Sequence, residues 1–269
     1  MPMPTSEGPF PPGMLAWLGI AGVIACVAFA ITWALSVRIR NYGLLDVAFA
    51  LGVAILAPLY ALASPGAGLR KWIFTAIGVV WSIRLGVYIL LRVLRHHPLE
   101  DPRYRTLRER WPSPLHFLGF FQLQAMLVVF FSVPFLITAW NTEPGVTALE
   151  AAGLLLTTLA VCGEALADWQ MQRFKRRATP EAVCDVGLWR YSRHPNYFFE
   201  SLVWWGCFLV ALPAPWGWVT LACPLLMLYF LFRVTGIPLT EAHALERKGA
   251  AYREYQRTTS AFVPWFRRA

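Results

Sequence analysis

The chain has 269 residues, of which 57% are hydrophobic and only 14% are charged. That balance, with a mean hydropathy of +0.49, excludes an ordinary soluble domain and indicates an integral membrane protein. The net charge of +9 points first to membrane topology and lipid contact, so no nucleic-acid partner is expected. The five cysteines form no CxxC pair, and we predict no metal site and no disulfide.

Apolar runs long enough to cross about 30 Å of hydrocarbon occur at seven places. Positions 1–13 before them are rich in proline and lack the basic region of a cleaved signal, which predicts a disordered segment and a retained first span. We expect an all-α integral membrane fold with about seven transmembrane helices, forming a single domain over 14–269. The predicted spans are 14–37, 43–64, 72–94, 116–140, 147–171, 197–213 and 216–236. The sixth is short, so a tilted or re-entrant helix is its alternative.

The connections between these spans sort by charge. Arginine and lysine concentrate in the connections 38–42, 92–115 and 172–196 and in the tail after 237. The other connections, 65–70, 141–146 and 213–216, hold a single arginine, Arg70. The positive-inside rule therefore predicts an external N-terminus and a cytoplasmic C-terminus in a bacterial inner membrane. The tail from Leu239 to Gln256 mixes apolar and charged residues, which predicts an amphipathic helix against the cytoplasmic face.

Polar residues recur inside the predicted spans, mostly in their cytoplasmic halves. In the third span Arg84, Tyr88, Arg92 and Arg95 share one helix face, because they follow each other at spacings of four, four and three. The second span carries Asp46. Such groups are costly in lipid, so they indicate a cavity that opens to the cytoplasm. The alternatives are ion pairs that fix helix packing and arginines that extend to lipid phosphates.

The fifth and sixth spans add to this polar set. Glu164 and Asp168 lie one turn apart with Lys175 further along, and Asn196 and Glu200 share a stripe after a basic run. Arginine forks suit phosphates, carboxylates suit ribose hydroxyls or an amino group, and an asparagine suits a carboxamide. These preferences describe a nicotinamide dinucleotide. The chain has no GxGxxG element after a strand, so the ligand would bind between helices.

The run Gly187-Leu-Trp-Arg-Tyr-Ser-Arg-His-Pro-Asn-Tyr with Glu200 resembles the signature of the bacterial DUF1295 family, which is related to the C-terminal domain of steroid 5α-reductases and to sterol C14-reductases. Supporting pieces are Glu100-Asp101-Pro-Arg-Tyr104 and the 164–175 and 252–264 segments. The resemblance implies a multi-span enzyme that uses NADPH to reduce an activated carbon–carbon double bond of a lipophilic substrate. Its implied cofactor-binding residues are Arg84, Arg92, Arg95, Glu164, Asp168, Lys175, Tyr191, Arg193, His194, Asn196, Tyr197, Glu200 and Tyr255.

The chain departs from the steroid reductases at the substrate side. Trp81 stands where they carry a tyrosine that partners the steroid ketone. The RHPxY pattern with a downstream glutamate also resembles the isoprenylcysteine and phospholipid methyltransferases, which use S-adenosylmethionine. A non-enzymatic transporter or assembly factor is the third alternative.

For the reductase, catalysis needs a group that polarises the substrate carbonyl or donates a proton. Asp46 and Tyr88 are the candidates, because they fall on the facing second and third helices. Asp46 could donate a proton only if burial raised its pKa.

Overall fold

The computed structural model describes residues 10–66, 68–111, 113–179 and 181–267. Over these ranges the chain is helical and contains no β-strand; an isolated bridge joins Ser192 to Ser260. The chain divides into two compact units, Met1–Val146 with Ala214–Gly217 and Thr147–Pro213 with Trp218–Ala269. The all-α prediction is confirmed.

The first unit is a bundle of long apolar helices with one short polar helix. Proline occupies the first turn of three of them, where its missing N–H costs nothing. The side chains of Asp101 and Ser113 cap two of these starts by accepting hydrogen bonds from the Arg103 and Leu115 amides. The helices are α1 (Pro12–Ile39), α2 (Leu44–Ala63), α3 (Leu69–His96), α4 (Pro102–Arg110) and α5 (Pro114–Trp140).

Close backbone approach holds α2 against its neighbours. A side chain at Gly52 would collide with Val128 of α5, so glycine is required there. The Ser82 hydroxyl of α3 donates to the Ala50 carbonyl and accepts from the Ala54 amide, 2.9 Å away. Such contacts stabilise helix pairs in a solvent that offers no hydrophobic driving force.

The second unit contains α6 (Ala148–Lys175), α7 (Pro195–Ala211), α8 (Ala222–Tyr229) and α9 (Ile237–Thr258), with a π-helical turn at Phe230–Val234. Thr147 and Glu150 form a reciprocal capping box that starts α6. Helices α6 and α7 pack closely, with Phe199 of α7 lying on Gly163 of α6. Gly249 has φ +53° and breaks the helical geometry of α9, so the predicted amphipathic helix is kinked.

Six stretches among the described residues are long and apolar enough to cross a membrane: α1, α2, α3, α5, α6 and the segment Gly217–Thr258. The sixth predicted span, 197–213, corresponds to α7, which has 17 residues and is not among these stretches, and the seventh, 216–236, falls within Gly217–Thr258. The protein is therefore a multi-pass membrane protein. The predicted segment 1–13 lies outside the described residues up to position 9, and α1 begins at Pro12.

Candidate functional site

In the first unit, Asp46 is the centre of a charged network. It lies in the first turn of α2, where a carboxylate is favoured by the helix dipole. Its Oδ2 accepts from Arg103 Nη2 at 2.8 Å, and its Oδ1 accepts from the Tyr104 hydroxyl at 2.6 Å. Arg92 Nη2 of α3 lies 3.7 Å from Oδ2. Both carboxylate oxygens thus serve as acceptors, and these bonds fasten α4 to α2.

Asp101 extends this network beside α4. Its carboxylate accepts from the Arg103 backbone amide and from Arg103 Nε, both at 3.0 Å. Burial alone would raise the pKa of Asp101, but the hydrogen bonds and charge of Arg103 outweigh it and hold that pKa below its ordinary value. Burial, aided by the Asp46 charge, raises the pKa of the Tyr104 phenol, which therefore stays protonated as a donor.

Glu100 makes a second anchor in the same unit. It accepts from the Tyr42 amide and from Arg108 Nη2, each at 2.8 Å. The Arg108 guanidinium lies 4.9 Å from the Tyr42 ring, whose other face stacks on Phe117 at 3.8 Å. The Glu100–Tyr104 motif therefore holds a loop across the ends of α1, α2 and α5. The sequence identified this motif only by resemblance.

The predicted α3 face is graded in exposure. Arg84 and Tyr88 are half-buried, whereas Arg92 and Arg95 are exposed. Arg92 also lies 4.0 Å from Asp101 Oδ2, so it joins the Asp46 network at the network's open edge. Trp81 is buried one turn before Arg84.

In the second unit, α6 buries two further carboxylates besides that of Glu150 in its capping box. Glu164 and Asp168 are 2% and 7% exposed, and Lys175 at the end of the helix is exposed. A buried carboxylate must be paired with a hydrogen-bond donor or a cation to be tolerated. Two of them one turn apart therefore mark a specialised face of α6.

The basic run forms a strap, defined here as residues 187–195, that links α6 to α7. It is fixed to α6 where Trp189 Nε1 donates to the Ala167 carbonyl at 2.9 Å and the Leu188 amide donates to Gln170 Oε1 at 2.8 Å. Gly187, at φ +58°, rests directly on the Gln170 side chain.

On its other side the strap is fixed to the C-terminal segment. The Ser192 hydroxyl donates to the Phe262 carbonyl at 2.7 Å, and the Arg193 amide donates to the Ser260 carbonyl at 2.8 Å. The Tyr255 hydroxyl donates to the carbonyls of Trp189 and Ser192. The strap is thus a rigid element that determines where α7 begins.

Glu241 of α9 organises the end of the strap. Its Oε1 accepts from Arg193 Nε at 2.6 Å and lies 3.2 Å from His194 Nε2, while its Oε2 accepts from Gln256 at 2.9 Å. Arg193 Nη1 also donates to the carbonyls of Gln256 and Thr259. The Arg193 side chain is only 10% exposed. Sequence reasoning missed Glu241, because no spacing connects it with a residue 48 positions earlier.

The remaining predicted residues differ in access. Tyr255 is buried against the strap, and the His194 ring stacks on Tyr197 at 5.4 Å. Tyr191 is exposed, while Asn196, Tyr197 and Glu200 are half-buried on the first turns of α7. Arg193, His194 and Tyr255 therefore position the start of α7, whose first turns keep part of the Asn196, Tyr197 and Glu200 side chains exposed.

The comparison with protein families gives one result. The model of the family described as "Protein of unknown function (DUF1295)" matches residues 32–259. The chain therefore belongs to the DUF1295 family. No curated protein and no solved structure matches it significantly.

Proposed function

We propose that this member of the DUF1295 family is a membrane-embedded reductase that uses NADPH to reduce an activated C=C bond, such as that of an enone, in a lipophilic steroid- or isoprenoid-like substrate. The observation that supports it best is the α6–strap–α7 arrangement. Glu164 and Asp168 form a buried carboxylate pair on α6. The strap, which is fixed to Gln170 and to Glu241, determines the position of the first turns of α7 that carry Asn196 and Glu200. Preorganised polar groups of this kind orient a ligand without reorganisation during reaction.

The hydrogen-bonding and charged side chains of the second unit suit part of such a cofactor. Asn196 offers both a donor and an acceptor to a carboxamide, and Glu164, Asp168 and Glu200 offer acceptors to ribose hydroxyls or an amino group. Lys175 is an exposed cation for a phosphate. The predicted cofactor contacts of Arg84, Arg92 and Arg95 in the first unit stay a separate prediction.

The bound cofactor would supply the hydride. The chain's own residues would bind and orient: the carboxylates of α6 would hold hydroxyl groups, Asn196 would fix one face of a carboxamide, and Arg193 with Glu241 would keep the start of α7 in place. Asp46 and Tyr88 stay the predicted polarising or proton-donating groups. Asp46 already accepts hydrogen bonds through both oxygens. The reductase proposal rests on the residues of the second unit and does not depend on Asp46.

A second candidate is an S-adenosylmethionine-dependent methyltransferase, and one observation favours it. The Arg193 guanidinium is held by Glu241 and by backbone carbonyls, so it is committed within the protein and not offered to phosphates. The carboxylates Glu164, Asp168 and Glu200 would suit the ribose and the cationic amino group of S-adenosylmethionine. A non-enzymatic transporter or assembly factor is the third candidate.

Thermal-shift titrations of the purified protein separate these candidates. A reductase is stabilised by NADPH and a methyltransferase by S-adenosylmethionine, because a ligand that binds only the folded state raises the melting temperature. Glu200→Gln should remove most of the shift, whereas Glu246→Gln, on an exposed position of α9, should leave it unchanged. A protein that responds to neither compound would support the non-enzymatic candidate.

We also propose that the protein lies in a bacterial inner membrane with its N-terminus outside and its C-terminus in the cytoplasm. The support is the distribution of arginine and lysine over the connections between helices. In this orientation the strap and α4 would face the cytoplasm, where the cofactor is available.

A further inference from the structure

A groove of about 420 Å³ lies along the last turns of α6. Trp169, Arg173 and Arg177 line it at four-residue spacing along α6 and the turn that follows. With about 3.6 residues per helical turn, these positions point away from Glu164 and Asp168. The groove is therefore separate from the face of α6 that carries Glu164 and Asp168, the carboxylates of the proposed cofactor site.

The second wall of the groove is held in place by the strap. Val186 and Gly187 line this side, and the neighbouring Leu188 amide is hydrogen-bonded to the Gln170 side chain at 2.8 Å. Any side chain at Gly187 would collide with that same Gln170 amide. The wall is thus held against α6 by a specific contact.

The lining combines two cations with exposed apolar surface. Trp169 is 54% exposed and Val186 is 50% exposed, and the Arg173 guanidinium lies 5.3 Å from the Trp169 ring. Among the described residues, no acidic side chain lines the groove. Arginine forks bind phosphate oxygens, and tryptophan is typical of the level of lipid headgroups. Because α6 is a membrane-spanning candidate that ends at Lys175, the groove lies at the end of a span.

We propose that this groove binds an anionic phospholipid. The phosphate would lie between Arg173 and Arg177, and the start of an acyl chain would cover Trp169 and Phe174. A lipid with a cationic headgroup carries the same phosphate but brings a positive charge close to both guanidiniums, so it should bind more weakly. This site requires no particular activity of the protein and stands apart from the proposed function.

The test is native mass spectrometry of the detergent-purified full chain, titrated with phosphatidylglycerol, phosphatidylcholine or glycerol 3-phosphate. We expect selective retention of phosphatidylglycerol. The double substitution Arg173→Gln with Arg177→Gln should weaken it by about tenfold or more, since each arginine near an anionic surface contributes on the order of a factor of five.

The control removes the same charge elsewhere. Arg247→Gln with Arg253→Gln changes two exposed arginines of α9 that do not line the groove and should alter phosphatidylglycerol retention by less than about twofold, because salt screens exposed charges that make no direct contact with the lipid. An equal loss in both double variants would overturn the proposal, as would equal retention of phosphatidylcholine. Binding of glycerol 3-phosphate as tight as that of the lipid would show a free-phosphate site and would also overturn it.

Discussion

Arg193 and His194 share one carboxylate, and this pairing explains how a basic run can start a helix in an apolar protein. Glu241 accepts from both, and the backbone carbonyls of Gln256 and Thr259 accept from Nη1 of the Arg193 guanidinium. Buried polar groups stabilise a fold only when all their partners are in place. The residues with the clearest sequence pattern are therefore partly structural, and their partner lies on a helix that the pattern does not include.

Replacing Glu241 by glutamine tests this clamp. The variant keeps the size of the side chain but removes the charge that Arg193 and His194 share, so we expect a loss of about 1–3 kcal/mol in the free energy of unfolding. Glu246→Gln, on an exposed position of the same helix, should change stability by less than about 0.5 kcal/mol. Thermal unfolding in detergent measures both, and equal melting temperatures for the two variants would contradict the clamp.

Asp101 predicts a dependence on pH. Its pKa is held below the ordinary value of the unfolded chain, so its stabilising contribution is complete above about pH 4 and is lost as the pH falls through the folded-state pKa. Asp101→Asn should therefore melt below the wild type at pH 7, and the difference should shrink toward pH 3. A difference that stays constant or grows on acidification would show that the carboxylate contributes nothing through its charge.

At the scale of elements, the sequence predicts the spans well and the connections poorly. Hydropathy locates α1, α2, α3, α5 and α6 to within a few residues, because the membrane demands long apolar runs. It does not reveal how Asp46 meets Arg103, a residue 57 positions later, or how the strap meets α9. Those contacts depend on tertiary packing, which leaves no period in the sequence. The kink at Gly249 was also missed, since one glycine within a helical pattern has several explanations.

Substitutions at three glycines, one in the strap and two elsewhere for comparison, test how closely the strap packs on α6. Gly187→Ala meets both a positive φ and the Gln170 side chain, so we expect a loss of about 2 kcal/mol or more. Gly249→Ala meets only the strained backbone, at φ 53° and ψ −124°, and should cost about 1–2 kcal/mol. Gly119→Ala, helical with open space around it, should be neutral or stabilising by up to about 1 kcal/mol. Melting temperatures in the reverse order would contradict the packing of the strap on α6.

At the scale of the whole molecule, family membership and a multi-pass helical architecture fit the composition of the chain. The distribution of basic residues supports the proposed orientation of the chain, with its N-terminus outside and its C-terminus in the cytoplasm. Reporter fusions should show fluorescence of a C-terminal green fluorescent protein and alkaline phosphatase activity after a fusion in the 141–146 connection, because fluorescent protein folds inside and the phosphatase outside. A phosphatase that is active at the C-terminus would reverse the topology and would move the strap to the outer face.

The proposed reductase must bind a reduced nicotinamide dinucleotide. Equilibrium binding of NADPH to the purified full chain, followed by the fluorescence of the reduced nicotinamide, tests it most directly, with S-adenosylmethionine as the competing ligand. The reductase proposal expects saturable NADPH binding that S-adenosylmethionine does not displace and that Asn196→Ala abolishes. Saturable binding of S-adenosylmethionine with none of NADPH would contradict it and establish the methyltransferase in its place.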